Sequence, residues 1–325
     1  MSKILSIYVN CSRGGMGTVY LNRALNNPGE HHTLIFVSDR GGYHLFTGYT
    51  NIDVRIIRKD RLKSYIAYLT VNFPFDEIRI TSLPEVVEPI SKRFNPKIVY
   101  EFHTSVPEIV SSELTKFDIA NINSIYVPSE FSRQMLLEQL PPEVNSLVEV
   151  RANQLNTNNI DYQPRDNFLF SNQIPILWIG RFDAGKNARD FLRILSQLPE
   201  LYIGIVVVSL ESDPSRLDDF LSDAFAYGVE DRVKVYLNLS HEQVFSLYNS
   251  VARHNGYYCS TSLNESFGFT VVEAATHGLR VVGYDVGALS EHQSNLITLF
   301  PVGDNQSIVN HILETSGQTR EPLYA

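Results

Sequence analysis

ILWIGRFDAGKNARDFLRIL, residues 176–195, contains a whole fold unit in one stretch. The apolar run up to Ile179 reads as a strand buried on both faces. Gly180–Asn187 is a polar, glycine-containing loop, and Ala188–Gln197 has the period of a helix. A strand, a loop and a covering helix form the repeating unit of a parallel sheet.

The same alternation extends in both directions. Strands are expected at Ile4–Val9, Thr33–Val37, Val54–Ile57, Glu77–Ile80, Lys97–Phe102 and Ser124–Val127. A second series follows at Pro175–Ile179, Tyr202–Val208, Arg232–Tyr236, Gly256–Cys259, Arg280–Tyr284 and Ile297–Phe300. Helical patterns fall between them at Val19–Leu25, Phe131–Gln139, Ala188–Gln197, Pro214–Tyr227, His241–Val251 and Thr270–His277. The pattern restarts after a polar stretch, Asn153–Gln173, which is the expected linker. A structureless loop of that length inside one domain is uncommon. The expectation is therefore two α/β domains, 1–165 and 166–325, each a doubly wound sheet, with a cleft between the carboxyl ends of their strands. Ligands of open parallel sheets bind at those ends.

Bulk properties narrow the function. The chain has 325 residues, enough for about two domains. No apolar run approaches the roughly 18 residues of a transmembrane helix. The N-terminal segment reads as a first strand rather than a signal peptide. Cys11 and Cys259 are far apart and lack metal-ligand spacing, so a reducing cytoplasm is expected, with a peripheral membrane association left open. Residues 1–165 carry 17 Lys/Arg against 17 Asp/Glu, whereas residues 166–325 carry 10 against 19. That balance argues against bulk nucleic-acid binding. One local basic run, Arg55, Arg58, Lys59, Arg61 and Lys63, is either an acceptor patch for an anionic or membrane-surface partner or a solvated helix face.

Five loops after strands carry candidate chemistry. Gly14, Gly15 and Gly17 in CSRGGMGTVY allow close backbone approach to a phosphate or sugar, or simply make a tight turn. Their order is not the G-x-G-x-x-G dinucleotide pattern. His103 in YEFHTS stands just past a buried strand, placed to bond a polar ligand or to be a satisfied structural histidine. Arg181 and Lys186 share one loop, and a planar donor fork with a point charge suits a diphosphate. In NESFGFTVVEAATHG, residues 264–278, Gly268 leaves room for an anion. The N–H groups of Phe269 and Thr270 would face it with the helix dipole behind them. Glu273 lies one turn further in, where a ribose diol would sit, and Glu265 precedes the turn on the sugar side. A capped helix explains Glu273 alone, but not Glu265 or the S-F-G-F-T turn. The turn in VVGYDVGALSEH would add donors to the same anion site.

Taken together, G-R-F-D-x-x-K-N, the two glutamates of ESFGFTVVE and HGLRVVGYDVGALSE resemble the family-four group of retaining nucleotide-sugar glycosyltransferases. The resemblance is strong from Trp178 to Asp304 and fair through the Gly14–Gly17 loop, EFHTS and VPSEFSRQML. It implies the GT-B fold, two Rossmann-like domains facing across a cleft. The N-terminal domain would be on the acceptor side and the C-terminal domain would bind the nucleotide sugar.

The resemblance also implies roles. Gly15 and Gly17 would lie near the donor diphosphate and acceptor, and His103 would bond the donor sugar. Arg181 and Lys186 would neutralise the leaving diphosphate, and Glu265 would hold hydroxyls of the transferred sugar. The backbone of Phe267, Gly268, Phe269 and Thr270 would touch sugar and phosphate, and Glu273 would hold the ribose. His103, Glu265, Arg181 and Lys186 form the expected catalytic set. No metal and no permanently bound cofactor is expected, since no D-x-D motif follows a strand. The donor would be a UDP- or GDP-sugar. The acceptor would be a hydroxyl of a glycan, a lipid-linked or small molecule, a protein or a modified nucleic-acid base. Two departures stand out: RANQLNTNN replaces the usual N-G-V-D-type linker turn, and the C-terminal helix that crosses back looks shortened or absent. A nucleotide-sugar epimerase and a non-catalytic sugar-nucleotide-binding module of the same fold are the alternatives.

Overall fold

The computed structural model describes residues 1–155, 168, 170, 172–209 and 215–317. The chain divides into two compact units, Met1–Asn156 and Thr157–Ala325. The expected boundary at 165/166 lies outside the described residues, as does most of the expected linker.

In the first unit the elements run β1 (Ser2–Ser12), α1 (Gly15–Asn26), β2 (Glu30–Arg40), β3 (Ile52–Ile56), α2 (Lys59–Asn72), β4 (Glu77–Thr81) and β5 (Lys97–Glu101). They continue with α3 (Pro107–Leu114), β6 (Ser124–Val127), α4 (Glu130–Leu137) and β7 (Val148–Val150). The strands form one parallel sheet ordered β3-β2-β1-β4-β5-β6-β7. Leu5, Ile7, Ile35, Ile78, Ile80, Ile98, Tyr100 and Ile125 bring the strands into its core. After β7 the chain runs back along α1, where Asn22 and Asn26 donate to the carbonyls of Gln154 and Leu155, both at 3.0 Å.

In the second unit the order is β8 (Ile174–Ile179), α5 (Ala188–Gln197), β9 (Tyr202–Val208), α6 (Ser215–Ala226), β10 (Val233–Leu237) and α7 (His241–Arg253). Then come β11 (Tyr257–Ser260), α8 (Phe269–Thr276), β12 (Arg280–Tyr284), β13 (Ile297–Phe300) and α9 (Asn305–Thr315). Its parallel sheet is ordered β10-β9-β8-β11-β12-β13. Helix α5 buries Phe191, Leu192, Ile194 and Leu195, the stripe its sequence period requires. Helix α7 starts at a capping box in which Ser240 and Gln243 satisfy each other's backbone N–H groups. Three buried phenols tie strands to helices: Tyr257 to the Ile312 carbonyl at 3.2 Å, Tyr258 to Thr270 Oγ1 at 2.7 Å and Tyr284 to Asp190 Oδ2 at 2.8 Å.

Each sheet reverses its winding once, between β1 and β4 in the first and between β8 and β11 in the second. Loops leaving strands on either side of such a point diverge and leave a crevice for ligand. The two sheets with their helices are the α/β, Rossmann-like pair expected from the sequence. The C-terminal brace cannot be followed, because residues 318–325 lie outside the described residues.

Candidate nucleotide-sugar site

The loops after β8 and β11 flank the reversal in the second sheet, and they carry Arg181, Lys186 and Glu265. Two contacts join them. Thr261 Oγ1 lies 3.1 Å from the Lys186 carbonyl and 2.9 Å from the Asn187 carbonyl, and the Leu263 N–H donates to the Gly185 carbonyl at 2.8 Å. Trp178 Nε1 donates to the same Thr261 oxygen from inside the sheet at 3.1 Å. Asn187 takes a left-handed conformation, φ +48°, which turns the chain into α5.

This bracing brings Lys186 Nζ to 2.5 Å from Glu265 Oε1, with the lysine side chain 24% and the glutamate 12% exposed. Residues 79 positions apart thus form one cation–carboxylate pair. Arg181 is 70% exposed and held through Nε by Asp183 Oδ2 at 2.8 Å, while Asp183 Oδ1 accepts the Lys186 N–H at 3.0 Å. Burial raises the Asp183 pKa, but Arg181 and the Lys186 N–H outweigh it and hold the carboxyl below its ordinary value. Asp183 therefore shapes the loop while Arg181 keeps its Nη groups for another partner.

Helix α8 begins at Phe269, one residue earlier than the sequence suggests. Gly268 precedes it at φ +80°, ψ +48°, where a Cβ would lie 2.1 Å from Leu289 Cδ2. The glycine is required by both backbone and packing. The first intrahelical acceptor, the Gly268 carbonyl, serves Val271 and Val272. The N–H groups of Phe269 and Thr270 consequently lack partners inside the helix and mark its positive end. Phe267 is buried, and its carbonyl pairs with His292 Nε2. The turn after β12 supports the same loop. Gly287, at φ +57°, lets its chain pass so close to Glu265 that the Ala288 N–H bonds the Glu265 carbonyl at 2.9 Å.

Glu273 sits on α8 with Tyr248 Oη donating to Oε2 at 3.3 Å. Burial pushes its carboxyl up to about 8, although the residue keeps part of its surface open. That burial favours its neutral form. Burial also lowers the neighbouring His277, whose ring stacks on Tyr248, to about 4.

The remaining expected site residues lie in the first unit. Gly15 is exposed at the start of α1 with open space around its missing Cβ. Gly17 is buried, and a Cβ there would lie 2.2 Å from the Ser12 carbonyl. Gly17 therefore serves the packing of α1 on β1, whereas Gly15 faces open space. His103 follows β5 with Nε2 3.6 Å from Oε2 of the fully buried Glu101. Arg23 Nη1 reaches both oxygens of that carboxylate, at 2.8 and 3.0 Å. The basic run around α2 is largely neutralised: Arg55 pairs with Asp53, Arg58 with Asp60 and Lys59 with Glu85. Among the described residues no group of three metal-ligating side chains gathers, and no helix is long and apolar enough to cross a membrane.

Residues 159–319 match the family described as Glycosyl transferases group 1. The second unit is a group 1 glycosyltransferase domain. The chain is 26% identical over 141 residues to a probable sucrose-phosphate synthase of Thermosipho melanesiensis, covering 43% of this chain and 33% of that protein. It is 24% identical over 215 residues to the phosphatidylinositol N-acetylglucosaminyltransferase GPI3 subunit of Saccharomyces cerevisiae, covering 64% and 45%. It thus spans between a third and a half of these curated relatives. Among solved structures, Anabaena HepE in complex with UDP and glucose superposes with a TM-score of 0.79 at 17% identity, over 98% of this chain and 90% of that one. A sucrose-phosphate synthase from Thermosynechococcus elongatus gives 0.72 at 18%, over 97% and 90%. These likenesses establish the GT-B fold for the glycosyltransferase domain and the unit before it.

Sequence reasoning missed the residues that hold the site in place. Asp183 had a signal, an acid between two cations on one loop, and so did Glu101, a charge at the end of an otherwise apolar buried strand. Thr261, Arg23 and His292 had none, because their partners are remote in sequence.

Proposed function

We propose that the chain is a metal-independent, retaining glycosyltransferase that moves a hexose from a UDP-sugar to a hydroxyl acceptor. The observation that carries this reading is the Lys186–Glu265 pair, held beside the start of α8 by the braced loops after β8 and β11. The group 1 domain and the UDP and UDP-glucose complexes of HepE support it and favour UDP over GDP.

In this reading the diphosphate docks on Lys186, the Nη groups of Arg181 and the N–H groups that open α8. Glu265 accepts hydroxyls of the sugar, and Glu273 the ribose diol. The bond from the anomeric carbon to the diphosphate oxygen breaks as the bond to the acceptor oxygen forms on the same face. A phosphate oxygen takes the acceptor's proton, and UDP departs. Positive charges aimed at the departing diphosphate stabilise the transition state without reorganising. Glu265 holds the sugar and is not a nucleophile. The first unit would receive the acceptor, and because most charges of the Arg55–Lys63 run are paired, that run is not the acceptor site we favour.

The test is a donor screen by thermal shift, followed by transfer assays with donors that bind. A donor present at 100 times its Kd stabilises by about 2.7 kcal/mol. Stabilisation by UDP-sugars, release of UDP only with acceptor, and an α-linked product from an α-linked donor are expected. Inverted product, or isomerised donor without transfer, would refute it.

A further inference from the structure

Helix α5 carries an acid in its first turn that is not placed as a solvated end charge. Asp190 is only 6% exposed, and its carboxylate collects three donors. Asn187 Nδ2 donates to Oδ2 at 2.7 Å, Tyr284 Oη to the same oxygen at 2.8 Å and Arg193 Nη1 to Oδ1 at 2.6 Å. Burial raises the Asp190 pKa, but the bonds from Tyr284, Asn187 and Arg193 outweigh it and hold the carboxyl below its ordinary value. Asp190 is therefore a fixed anion, and ionised carboxylates only accept hydrogen bonds. An acid that served the helix dipole alone would do so from water and would need no such set of donors. Two of the donors fix the carboxylate from β12 and from the next turn of α5. The third is the residue that follows Lys186.

Asn187 stands at φ +48°, ψ +53°, a left-handed conformation that penalises any residue with a Cβ and that asparagine enters with the help of local side-chain bonds. The bond to Asp190 is such a bond. Released from it, Asn187 would relax toward the right-handed or extended regions, and that rotation would swing the peptide it shares with Lys186. The carbonyl of that peptide is one of the two that meet Thr261 Oγ1, at 3.1 Å beside the Asn187 carbonyl at 2.9 Å. The lysine stem then passes Gly180, where an added Cβ would lie 3.3 Å from Lys186 Cγ, so its path has little slack. We infer that Asp190 is the positioning residue of Lys186: by accepting from Asn187 it locks the left-handed turn that aims the lysine ammonium at Glu265 and at a donor diphosphate. The diphosphate rests on the glycosyl-transfer reading, whereas the lock on the Lys186–Glu265 pair does not. Glycine enters the left-handed region without penalty, so a glycine at position 187 would make the lock unnecessary.

1H–15N spectra of protein labelled at lysine Nζ test this without substrate, with Lys186→Arg identifying the ammonium by difference. In the wild type the ammonium held by Glu265 should give a signal protected from solvent exchange. Asp190→Ala should abolish that protection. Asn187→Ala should abolish it too, and because it leaves the Tyr284 and Arg193 bonds to Asp190 in place, it carries the test if Asp190→Ala does not fold. Adding Asn187→Gly to Asp190→Ala should restore the signal, a rescue that a carboxylate serving stability alone would not show. Tyr284→Phe takes a donor from the same carboxylate but spares the Asn187 bond, so the signal should stay protected. A wild-type ammonium without protection, a signal still protected in Asp190→Ala or Asn187→Ala, or a folded double variant that glycine fails to rescue overturns the inference. With a donor that is turned over, Asp190→Ala should lower kcat on the order of 10²-fold, as for a misplaced reacting group, and the added glycine should recover most of that loss. If no sugar transfer is found with any donor, the glycosyl-transfer reading fails and the spectra still decide the lock.

Discussion

Replacing Gly287 by alanine isolates the contact that shapes the Glu265 loop. An added Cβ would lie 2.0 Å from the Glu265 carbonyl oxygen and 2.9 Å from its carbon, both backbone atoms that no rotamer change can move. The residue also sits at φ +57°, where alanine is disfavoured by about 1–2 kcal/mol. Overpacking against a fixed obstacle adds roughly 1–3 kcal/mol. Pushing Glu265 away also weakens its bond with the Ala288 N–H, a further contribution of about 1 kcal/mol. The expected loss is about 3–6 kcal/mol. Gly228 provides the control, since it has a similar φ of +65° but nothing within 4 Å of its missing Cβ. Its alanine variant should lose only the backbone part, about 1–2 kcal/mol. Urea unfolding followed by fluorescence and circular dichroism measures both. UDP-sugar affinity should fall in Gly287→Ala and hold in Gly228→Ala. If the two variants were equally stable within about 0.5 kcal/mol, the close approach of the two loops would not be the constraint described.

Other perturbations probe the remaining parts. Lys186→Ala should reduce kcat by about 10²–10³-fold, the scale for removing one transition-state donor, and a steady-state assay that showed only a raised KM would contradict its role. Glu273 holds a proton in the folded protein up to about pH 8 that the unfolded chain releases near pH 4.3. Its contribution to stability is therefore full below pH 4.3, declines as pH rises, and is lost above about 8. Glu273→Gln should flatten that slope in unfolding titrations. Ribose hydroxyls donating to Glu273 would favour its anion, so UDP affinity should rise from pH 6 to 8 with proton release, seen by calorimetry in buffers of different ionisation enthalpy. Tyr284→Phe removes a donor from buried Asp190 and should cost about 1–3 kcal/mol in urea unfolding with little effect on UDP binding.

The sheets were legible because each buried strand is a short apolar run between polar loops. Tyr202–Val208, Ser124–Val127, Arg280–Tyr284 and Ile297–Phe300 match the expected bounds residue for residue. Strand β7 was missed, since Val148–Val150 is three residues with a glutamate in the middle and is defined by pairing with β6. Helix α2 was read only as a solvated face behind its basic start, although Leu62, Ile66 and Leu69 fall on one buried face. Helix α3 escaped because Val110 is its one fully buried apolar side chain and the buried Glu113 reads as surface. The site was legible in its loops and in the identity of Lys186, Glu265 and Gly268. Its internal pairing was not, because Lys186 with Glu265, Thr261 with the Asn187 carbonyl, and Arg23 with Glu101 are contacts made by topology.

The Lys186–Glu265 pair has a consequence for discrimination. With no ligand bound, each charge already satisfies the other. A bare phosphate that draws Lys186 away leaves Glu265 without its counter-charge and facing another anion. A neutral sugar that bonds Glu265 contributes nothing to Lys186. A molecule carrying both an anion and an adjacent hydroxyl relieves both at once. In the proposed function the resting pair would thus favour a molecule that presents both groups over one that presents either alone.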